Sequence, residues 1–415
     1  MSAAEILRGR MPDLLCFSHL RWHSVFQRPQ HLLTRYARQR RVFVFEEPLR
    51  EERREASLEV SRVAPNLEIA VPRLPLGLST ESEHALLRGL LDRLVREQHL
   101  ENAWHLYLTP MALPFSRHLP ARLVVYDCMD ELSTFKGAEA ALPRLEAQLF
   151  ERAHVVFTGG WSLYEWKRDR HPNVHGFPSS VDVAHFARAR TLGAEAADQA
   201  HLPRPRIGFC GVIDERMNLE LVAKVAAARP EWQLVMIGPV VKIDPAELPR
   251  RDNLHYLGSR PYAELPSYLA GWDVAILPFA RNDATRFISP TKTPEYLAAG
   301  RPVVSTSIRD VVRPYGEQSL VRIADDVDGF VRAIERAKDE DASSREWLTR
   351  VDELLGQMSW DLTFARMQRV LEEAAAARDE EAALTSVTRR TTILGERDGE
   401  RTRQVGVRPG GASGV

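Results

Sequence analysis

The chain has 415 residues, 44% of them hydrophobic and 27% charged, and its formal net charge is -1. This length accommodates about two to three domains, and the near-neutral charge excludes a protein that binds nucleic acid through its overall charge. Three widely spaced cysteines that form no metal-type pair, no apolar run near the roughly 18 to 20 residues of a membrane span, and no signal-peptide core predict a cytoplasmic protein.

Strand and helix patterns alternate through the first half of the chain. Short apolar runs predict five strands, at 13–19, 41–47, 103–109, 122–128 and 153–159. Helical periodicity predicts helices at 26–40, 81–98 and 141–152. This alternation predicts an α/β domain with a parallel sheet, which we assign to residues 12–185.

A second α/β half follows a segment without strand periodicity, which we assign as a linker at 186–205. Six further strands are predicted at 206–212, 232–239, 253–259, 272–279, 301–306 and 319–324, within a second domain at 206–358. We expect a C-terminal helix at 359–380 that crosses back to the first domain, and a disordered tail at 385–415. Two such sheets in tandem predict a cleft where ligands bind at the carboxyl ends of the strands.

The segment SPTKTPEYLAAGRPVVST, residues 289–306, has the pattern of a helix followed by a strand. Lys292 and Glu295 lie three residues apart, so both side chains project from one face of the helix. A cation at the end of an α/β unit where anions bind predicts an anionic ligand. The structural alternative is a surface ion pair, which contributes only about a few tenths of a kcal/mol.

Several segments of the second half are similar to the nucleotide-sugar-binding domain of family-four glycosyltransferases. They are IGFCGVIDERMNLELV (207–222), WQLVMIGP (232–239), NLHYLGSRPYAELPSYLAGWDVAILPF (253–279) and the SPTK segment, in the family's order and spacing. The linker segment SSVDVAHF resembles the family's entry to its second domain, and VFQRPQHLL resembles the bacterial branch that serves capsule, exopolysaccharide and teichuronic-type polymers. The resemblance covers about residues 12–375. It implies the α/β GT-B fold, in which two Rossmann-like parallel-sheet domains face each other across a cleft.

The resemblance also implies an activity. The chain would move a sugar from a nucleotide-diphosphate sugar to a glycan or lipid-linked acceptor in cell-surface polysaccharide synthesis, with retention of the anomeric configuration. It would need no cofactor besides the donor and no metal. The motif DVD at 326–328 mimics a metal-binding sequence, but its place at a predicted helix start favours helix capping.

Donor-binding residues follow from the matched motifs. Lys292 would contact the phosphates and Glu295 the ribose hydroxyls, while Ser289 and Thr291 of the same segment and Gly211 after a strand would contact the nucleotide. Arg216 would supply a second cation, because the family's arginine directly after the glycine is absent.

The family's first glutamate, eight residues before Glu295, is replaced by Phe287. Its contacts with the donor sugar would pass to neighbours such as Thr285 and Arg286, and Arg28 could reach the sugar or phosphates from the first domain. This departure leaves the donor sugar and the stereochemical course open.

Catalytic candidates lie after strands of the first domain. Asp130 follows the strand at 122–128 and is our candidate for general base or for orienting the acceptor hydroxyl, with Asp127 and His23 as further candidates. A helix cap for Asp130 and a surface position for His23 are the structural alternatives.

The stretch 28–41 is rich in arginine between apolar residues, so it allows peripheral association with an anionic inner membrane as well as a solvated basic face. Two other classes of protein remain open. They are a catalytically inactive sugar-nucleotide-binding protein and a GT-B nucleotide-sugar 2-epimerase, whose catalytic signature is not found. An NAD dehydrogenase is disfavoured because neither half has a G-x-G-x-x-G after its first strand.

Overall fold

Two β-sheets organise the chain, as a computed structural model shows. The structure describes the backbone of residues 11–341 and 344–404 and the side chains of residues 11–340 and 344–384. The first sheet contains β1 (Leu14–Ser18), β2 (Val42–Glu46), β3 (Leu49–Glu51), β4 (Ser57–Ala64), β5 (Leu67–Pro75), β6 (Trp104–Tyr107), β7 (Leu123–Cys128), β8 (Val155–Thr158) and β9 (Val174–Gly176). The second contains β10 (Arg206–Cys210), β11 (Gln233–Ile237), β12 (Leu254–Gly258), β13 (Val274–Leu277), β14 (Val303–Ser305) and β15 (Val321–Ile323).

Helices connect the strands and cover the sheets. The α-helices are α1 (Arg28–Tyr36), α2 (Thr80–Gln98), α3 (Leu113–Ser116), α4 (Leu142–Arg152), α5 (Trp161–Lys167), α6 (Val183–Ala187), α7 (Ala197–Ala200), α8 (Leu219–Ala228), α9 (Leu265–Ala270), α10 (Lys292–Ala298), α11 (Arg309–Val311), α12 (Val327–Arg336), α13 (Arg345–Leu355) and α14 (Trp360–Gln404).

The first sheet has the strand order β3-β5-β2-β1-β6-β7-β8-β9, and β4 pairs with β5. All of its pairings are parallel except the antiparallel pairing of β4 with β5. The chain builds outward from β1 through β2 and then returns to the other side of β1 with β6. This reversal creates a switch point, where ligands of open α/β sheets bind outside the carboxyl ends of the strands.

Four strands of the first sheet escape the sequence prediction, namely β3, β4, β5 and β9. Strand β4 alternates charged residues with apolar ones and is largely exposed, because it covers only the edge of the sheet. Strands β3 and β9 have three residues each, which is too short for a periodic pattern.

The second sheet is fully parallel, with the order β12-β11-β10-β13-β14-β15. Numbered within this sheet, the order is 3-2-1-4-5-6, which is that of the dinucleotide-binding Rossmann fold. The six predicted strands are confirmed, because buried apolar runs of this kind are typical of parallel sheets covered on both faces. Its switch point lies between β10 and β13.

Each sheet packs its helices around its own apolar core. One cluster contains the second-domain strands and the other contains the first-domain strands. Phe287 is an exception, since it comes from the second domain but belongs to the first-domain cluster.

The predicted linker at 186–205 packs against the second domain. Phe186, Ala189 and Leu202 join that domain's core. The side-chain amide of Gln199 donates to the Tyr268 carbonyl at 2.8 Å and accepts from the Trp272 indole at 3.1 Å. The segment is therefore an ordered part of the second domain surface.

The start of α14 contacts α1 of the first domain. Trp360 stacks on His31 with ring centroids 4.6 Å apart, and Asp361 accepts a hydrogen bond from Arg35 at 2.8 Å. The backbone of α14 is helical to Gln404, in agreement with its Ala, Glu and Arg content. The predicted disordered tail at 385–415 thus falls partly on this helix, and residues 405–415 lie outside the described residues.

Candidate active site

A cavity of about 410 Å³ lies between the two domains, and we name it the central cavity. Its lining comes from loops after β1, β7 and β8, from α1, and from loops after β10, β11 and β13 together with the segment that starts α10; the segments are 19–28, 129–135, 159, 179, 209–216, 239–242, 279 and 288–292. The carboxyl ends at both switch points therefore face this cavity.

Basic side chains outnumber acidic ones in the lining of the central cavity. The basic residues are Arg21, Arg28, Arg216, Lys242 and Lys292, and the acidic residues are Asp130 and Asp214. A cavity with this balance favours an anionic ligand.

Lys292 and Glu295 form a close pair at the start of α10. The ammonium Nζ of Lys292 lies 2.7 Å from Oε2 of Glu295, and the side chains are 13% and 8% exposed. Burial raises the pKa of Glu295 against the opposing effect of Lys292. Burial disfavours the charged form of Lys292, but the Glu295 carboxylate leaves the pKa of Lys292 above its ordinary value. Lys292 lines the central cavity, whereas Glu295 is not among the lining residues.

The Gly211 loop approaches the cavity because glycines allow close backbone packing. Gly211 lines the cavity, and its N–H donates to the Ile237 carbonyl at 2.8 Å. Gly238 has a φ of 139°, and a Cβ atom there would lie 1.8 Å from the Gly211 carbonyl oxygen. Any other residue at 238 would displace the loop.

Arg216 lines the cavity but is already paired. Its Nε lies 2.9 Å from Oδ1 of Asp214, and its Nη2 lies 2.7 Å from Oδ2 of the same carboxylate. Its guanidinium carbon is 5.5 Å from the ring centroid of Phe135 in the first domain. Nη1 donates no hydrogen bond to Asp214, so this arginine keeps donors for a ligand.

Lys242 is a cavity residue that the sequence analysis missed. Its Nζ lies 5.1 Å from the centre of the Phe135 ring, and it has no carboxylate partner among the described residues. It follows β11, and the carboxyl ends of neighbouring parallel strands meet at one edge of the sheet. The proximity of β11 to β10 in a Rossmann order could have indicated it.

Asp130 lines the central cavity from the first domain, directly after β7 and Met129. Burial raises its pKa above the ordinary value, while Arg216 and Arg28 lower it. A carboxylate with a raised pKa is a better proton acceptor near neutral pH. The neighbouring Glu131 is held by the buried Lys167, which fixes the loop that carries Asp130.

Asp127 lies in β7 and does not line the cavity. Its carboxylate accepts two hydrogen bonds from Arg28, from Nε at 3.1 Å and from Nη2 at 2.9 Å. Arg28 lines the cavity but is buried, and its Nη1 donates to the Phe177 carbonyl at 2.7 Å. Asp127 and Arg28 therefore form a buried ion pair that stabilises the first domain.

The two histidines near β1 differ in position. His23 is exposed and does not line the cavity. His19 does line it, and burial lowers the pKa of His19 to about 4, so its imidazole is neutral at pH 7. His19 follows β1 immediately, which is the signal that could have favoured it over His23.

Residues of the 285–291 segment divide between two cavities. Ser289 and Thr291 line the central cavity, together with Lys292. Thr285 and Arg286 line a second cavity and are not brought together with Lys292. Thr285 ends the short 3-10 helix Asp283–Thr285, which lies on the second cavity.

The second cavity, which we name the side cavity, has a volume of about 680 Å³. Its lining comes from α5 of the first domain and from loops after β13 and β14 of the second; the residues are Ser162, Glu165, Trp166, Arg281, Asn282, Asp283, Thr285, Arg286, Phe287, Ser307, Ile308 and Arg309. Phe287 stacks on Trp166 with ring centroids 5.4 Å apart. Position 287 therefore faces a tryptophan of the other domain.

The remaining predicted features concern metal and membrane. Asp326 accepts a hydrogen bond from the Gly329 N–H at 2.8 Å and caps α12. No group of three or more potential metal ligands occurs among the described residues. In the described part of the chain, no helix combines the length and apolarity of a membrane span.

The arginines of 28–41 do not form a free basic face. Arg28 is buried with Asp127, Arg35 bonds to Asp361, and Arg41 pairs with Asp13. Arg40 is buried with its guanidinium carbon 4.3 Å from the centre of the Trp104 ring. Most of this charge is therefore engaged within the protein.

Solved structures share this architecture. Sucrose-phosphate synthase from Thermosynechococcus elongatus has a TM-score of 0.67 and 13% identity, covering 88% of this chain and 100% of that one. An α,α-trehalose-phosphate synthase (UDP-forming) from Burkholderia xenovorans has a TM-score of 0.64 and 12% identity, covering 87% and 100%. Together with the two parallel sheets and the cavity at their switch points, these similarities define a GT-B fold.

Sequence comparison finds a similarity within the second domain. Residues 204–339 match the family described as glycosyl transferases group 1. TuaH of Bacillus subtilis (strain 168), a protein provisionally assigned as a teichuronic acid biosynthesis glycosyltransferase, is 30% identical over 206 residues. That match covers 45% of this chain and 50% of the relative, so it spans half the relative's length. The second domain is thus similar to the group 1 glycosyl transferases.

Proposed function

We propose that the protein transfers a sugar from a nucleotide-diphosphate sugar to a glycan or lipid-linked acceptor in bacterial cell-surface polysaccharide synthesis. The observation that carries this proposal is Lys292 beside Glu295 on a basic cavity at the switch points of both domains. The family of the second domain and the similarity to TuaH support the reaction class and the polymer context.

The Lys292–Glu295 pair suits a nucleotide because both groups keep unused capacity. An ammonium has three donors, and one of them meets Oε2 of Glu295. The others are available to phosphate oxygens from the cavity side. We expect the second carboxylate oxygen of Glu295 to accept hydrogen bonds from ribose hydroxyls.

Cations around the cavity stabilise the leaving group. Cleavage of the bond between sugar and nucleotide places negative charge on a diphosphate, and fixed positive charges lower the barrier to this step. Lys292, Lys242 and Arg216 supply that charge, with Gly211 admitting the phosphates close to the backbone. We accordingly expect a metal-independent reaction, in which a chelator leaves turnover unchanged.

Asp130 acts on the acceptor hydroxyl from the opposite wall. In a retaining reaction, which the resemblance favours, Asp130 orients the hydroxyl. In an inverting one it removes the proton. The anomeric configuration of the first product, read by proton NMR before it equilibrates, distinguishes the two courses.

A thermal-shift panel tests the donor assignment. The full chain is heated with UDP, GDP, ADP and their sugars, because a ligand that binds the folded state raises the melting temperature. We expect one nucleoside diphosphate to raise it more than its monophosphate and more than inorganic pyrophosphate. An unchanged melting temperature with every member of the panel contradicts the proposal.

A second candidate is a sugar-nucleotide-binding protein without turnover. Phe287 favours it, since this side chain packs on Trp166 where the family has a glutamate directed at the donor sugar. Nucleotide binding without hydrolysis or transfer, on lipid-linked and free glycan acceptors alike, would select this candidate. Retention of the protein on anionic vesicles, compared with neutral ones, tests the proposed association with the inner membrane.

A further inference from the structure

The side cavity presents an aromatic surface that the donor reaction does not use. Trp166 is 52% exposed at the end of α5, although a large indole is usually mostly buried. Phe287 stacks beside it at 5.4 Å with an interplanar angle of 29°. The pair forms a fixed aromatic platform built from both domains.

Two charged side chains beside this platform have no ion-pair partner. Arg281 pairs with Asp325 at 3.0 Å, and Arg309 pairs with Glu165 at 2.5 Å. Within the part of the chain whose side chains are described, Arg286 and Asp283 have no such partner. The guanidinium carbon of Arg286 lies 5.6 Å from the centre of the Trp166 ring, so its donors are held next to the indole.

This combination matches the chemistry of a glycan. A sugar ring has an apolar C–H face that packs on an aromatic ring, and its edge carries hydroxyls that need donors and acceptors. Asp283 supplies acceptors and Arg286 supplies donors. The guanidinium of Arg286, which has no carboxylate partner among the described side chains, favours a glycan that carries a carboxylate or a phosphate, because Arg binds such groups through paired hydrogen bonds.

We propose that the side cavity is an acceptor subsite that binds an anionic segment of a growing glycan, with Trp166 under a sugar ring and Arg286 on the anionic group. The assignment rests on the proposed function, because it places the acceptor chain beside the donor cavity. Two segments form the wall between the cavities. Residues 282–287 face the side cavity and 288–292 the central one, while Gly159 faces the central cavity and α5 the side cavity.

Binding of defined oligosaccharides to the full chain tests the subsite. The probes are a tetrasaccharide that contains uronic acids, the same tetrasaccharide with methyl-esterified carboxyls, a phosphate-bearing tetrasaccharide, and inorganic phosphate alone. Calorimetry gives each affinity, and UDP is titrated in parallel. The variants are Trp166→Ala and Arg286→Gln. The matched controls are Trp161→Ala and Arg168→Gln, which change exposed residues near the same helix that do not line the cavity.

We expect the wild type to bind a carboxylated or phosphorylated tetrasaccharide more tightly than the ester. Trp166→Ala should lower the affinity for every tetrasaccharide by roughly three- to tenfold. Arg286→Gln should lower the affinity for the anionic tetrasaccharides by about tenfold and should change the affinity for the methyl ester little. Both variants should bind UDP like the wild type, and both controls should leave all affinities unchanged.

Three results overturn the subsite. They are equal affinities in Trp166→Ala and the wild type, no preference of the wild type for either anionic tetrasaccharide over the ester, and no binding of any tetrasaccharide by a protein that binds UDP. Tight binding of inorganic phosphate alone, with none of the glycans, also overturns it. A wild type that binds none of UDP, GDP, ADP and their sugars refutes the proposed function instead, so the two failures are distinguishable.

Discussion

Arg28 and Asp127 join the first helix to the centre of the first sheet by two parallel hydrogen bonds, of 3.1 Å and 2.9 Å. The two side chains are 4% and 2% exposed, so water compensates neither charge. Arg28 also donates to the Phe177 carbonyl at 2.7 Å, which attaches the chain after β9. One buried cation thus connects three segments around the central cavity.

Removing this cation should destabilise the protein more than it weakens ligand binding. Arg28→Met leaves Asp127 buried without a partner, which costs on the order of 3–5 kcal/mol of unfolding free energy. Urea denaturation measures the change. Arg38→Met is the matched control, because Arg38 is 67% exposed and should change stability by less than about 0.5 kcal/mol. A loss below about 1 kcal/mol in Arg28→Met contradicts a structural role for the pair.

Asp130→Asn should separate chemistry from binding. The amide keeps the shape of the carboxylate but cannot take a proton, so turnover should fall on the order of 100-fold or more. Affinity for the nucleoside diphosphate should stay intact, and measuring it in the same preparation controls for folding. If affinity falls while turnover per bound donor does not, Asp130 has a structural role.

Lys242→Gln should weaken the binding of the nucleoside diphosphate, and the size of this effect should depend on salt. Because Lys242 is exposed, we expect the affinity to fall by only about two- to fivefold. The difference in affinity between the variant and the wild type should shrink as the salt concentration rises. Lys136→Gln is the control, because Lys136 is exposed nearby but does not line the cavity. Equal affinities of Lys242→Gln and the wild type at low salt would remove Lys242 from the site.

The sequence was sufficient to predict the strands of the second sheet and several residues that line the central cavity. Buried parallel strands leave continuous apolar runs, and Gly211, Arg216, Lys292 and Asp130 follow strands or start a helix at the carboxyl edge. The positions of these residues can be predicted because they depend on the local sequence pattern and on the order of the strands.

The rest of the site depends on contacts that no local pattern encodes. Asp127 and Asp130 are three residues apart, but the first lies within β7 and is bound by Arg28, ninety-nine residues away. Thr285 and Arg286 line the side cavity at the end of a 3-10 helix that precedes α10. Lys242 enters the central cavity from a loop whose course is fixed only by the folded sheet.

Stability should fall in mild acid because buried histidines are neutral in the folded state. Burial lowers the pKa of His105 to about 3, while the unfolded chain binds a proton near the ordinary value of about 6.5. The unfolded state therefore binds more protons between these values, and stability decreases as pH falls through this window. From pH 7.5 to 5.5 one such histidine costs roughly 1.4 kcal/mol.

Urea denaturation of His105→Leu at several pH values measures this contribution. The change in unfolding free energy from pH 7.5 to 5.5 should be smaller in the variant by roughly 1.4 kcal/mol. His23→Gln, at an exposed position, is the control and should keep the wild-type pH dependence. An identical dependence in His105→Leu and the wild type would contradict a neutral buried imidazole.

Calorimetry on Lys292→Ala and Glu295→Gln with uridine, UMP and UDP, or with the nucleotides of whichever base the thermal-shift panel selects, tests the central claim most directly. The claim assigns Lys292 to the phosphates and Glu295 to the ribose. Lys292→Ala should lower the affinity for UDP by about ten- to a hundredfold, since a charge-assisted contact contributes roughly 1.5–3 kcal/mol. The affinity for uridine should hardly change. Glu295→Gln should lower the affinities for uridine and for UDP by similar factors. The exposed pair Glu220–Lys224 provides the control Lys224→Ala, which should bind every ligand normally. Unchanged affinities across the series in both variants would reduce Lys292 and Glu295 to a structural ion pair and contradict the nucleotide site.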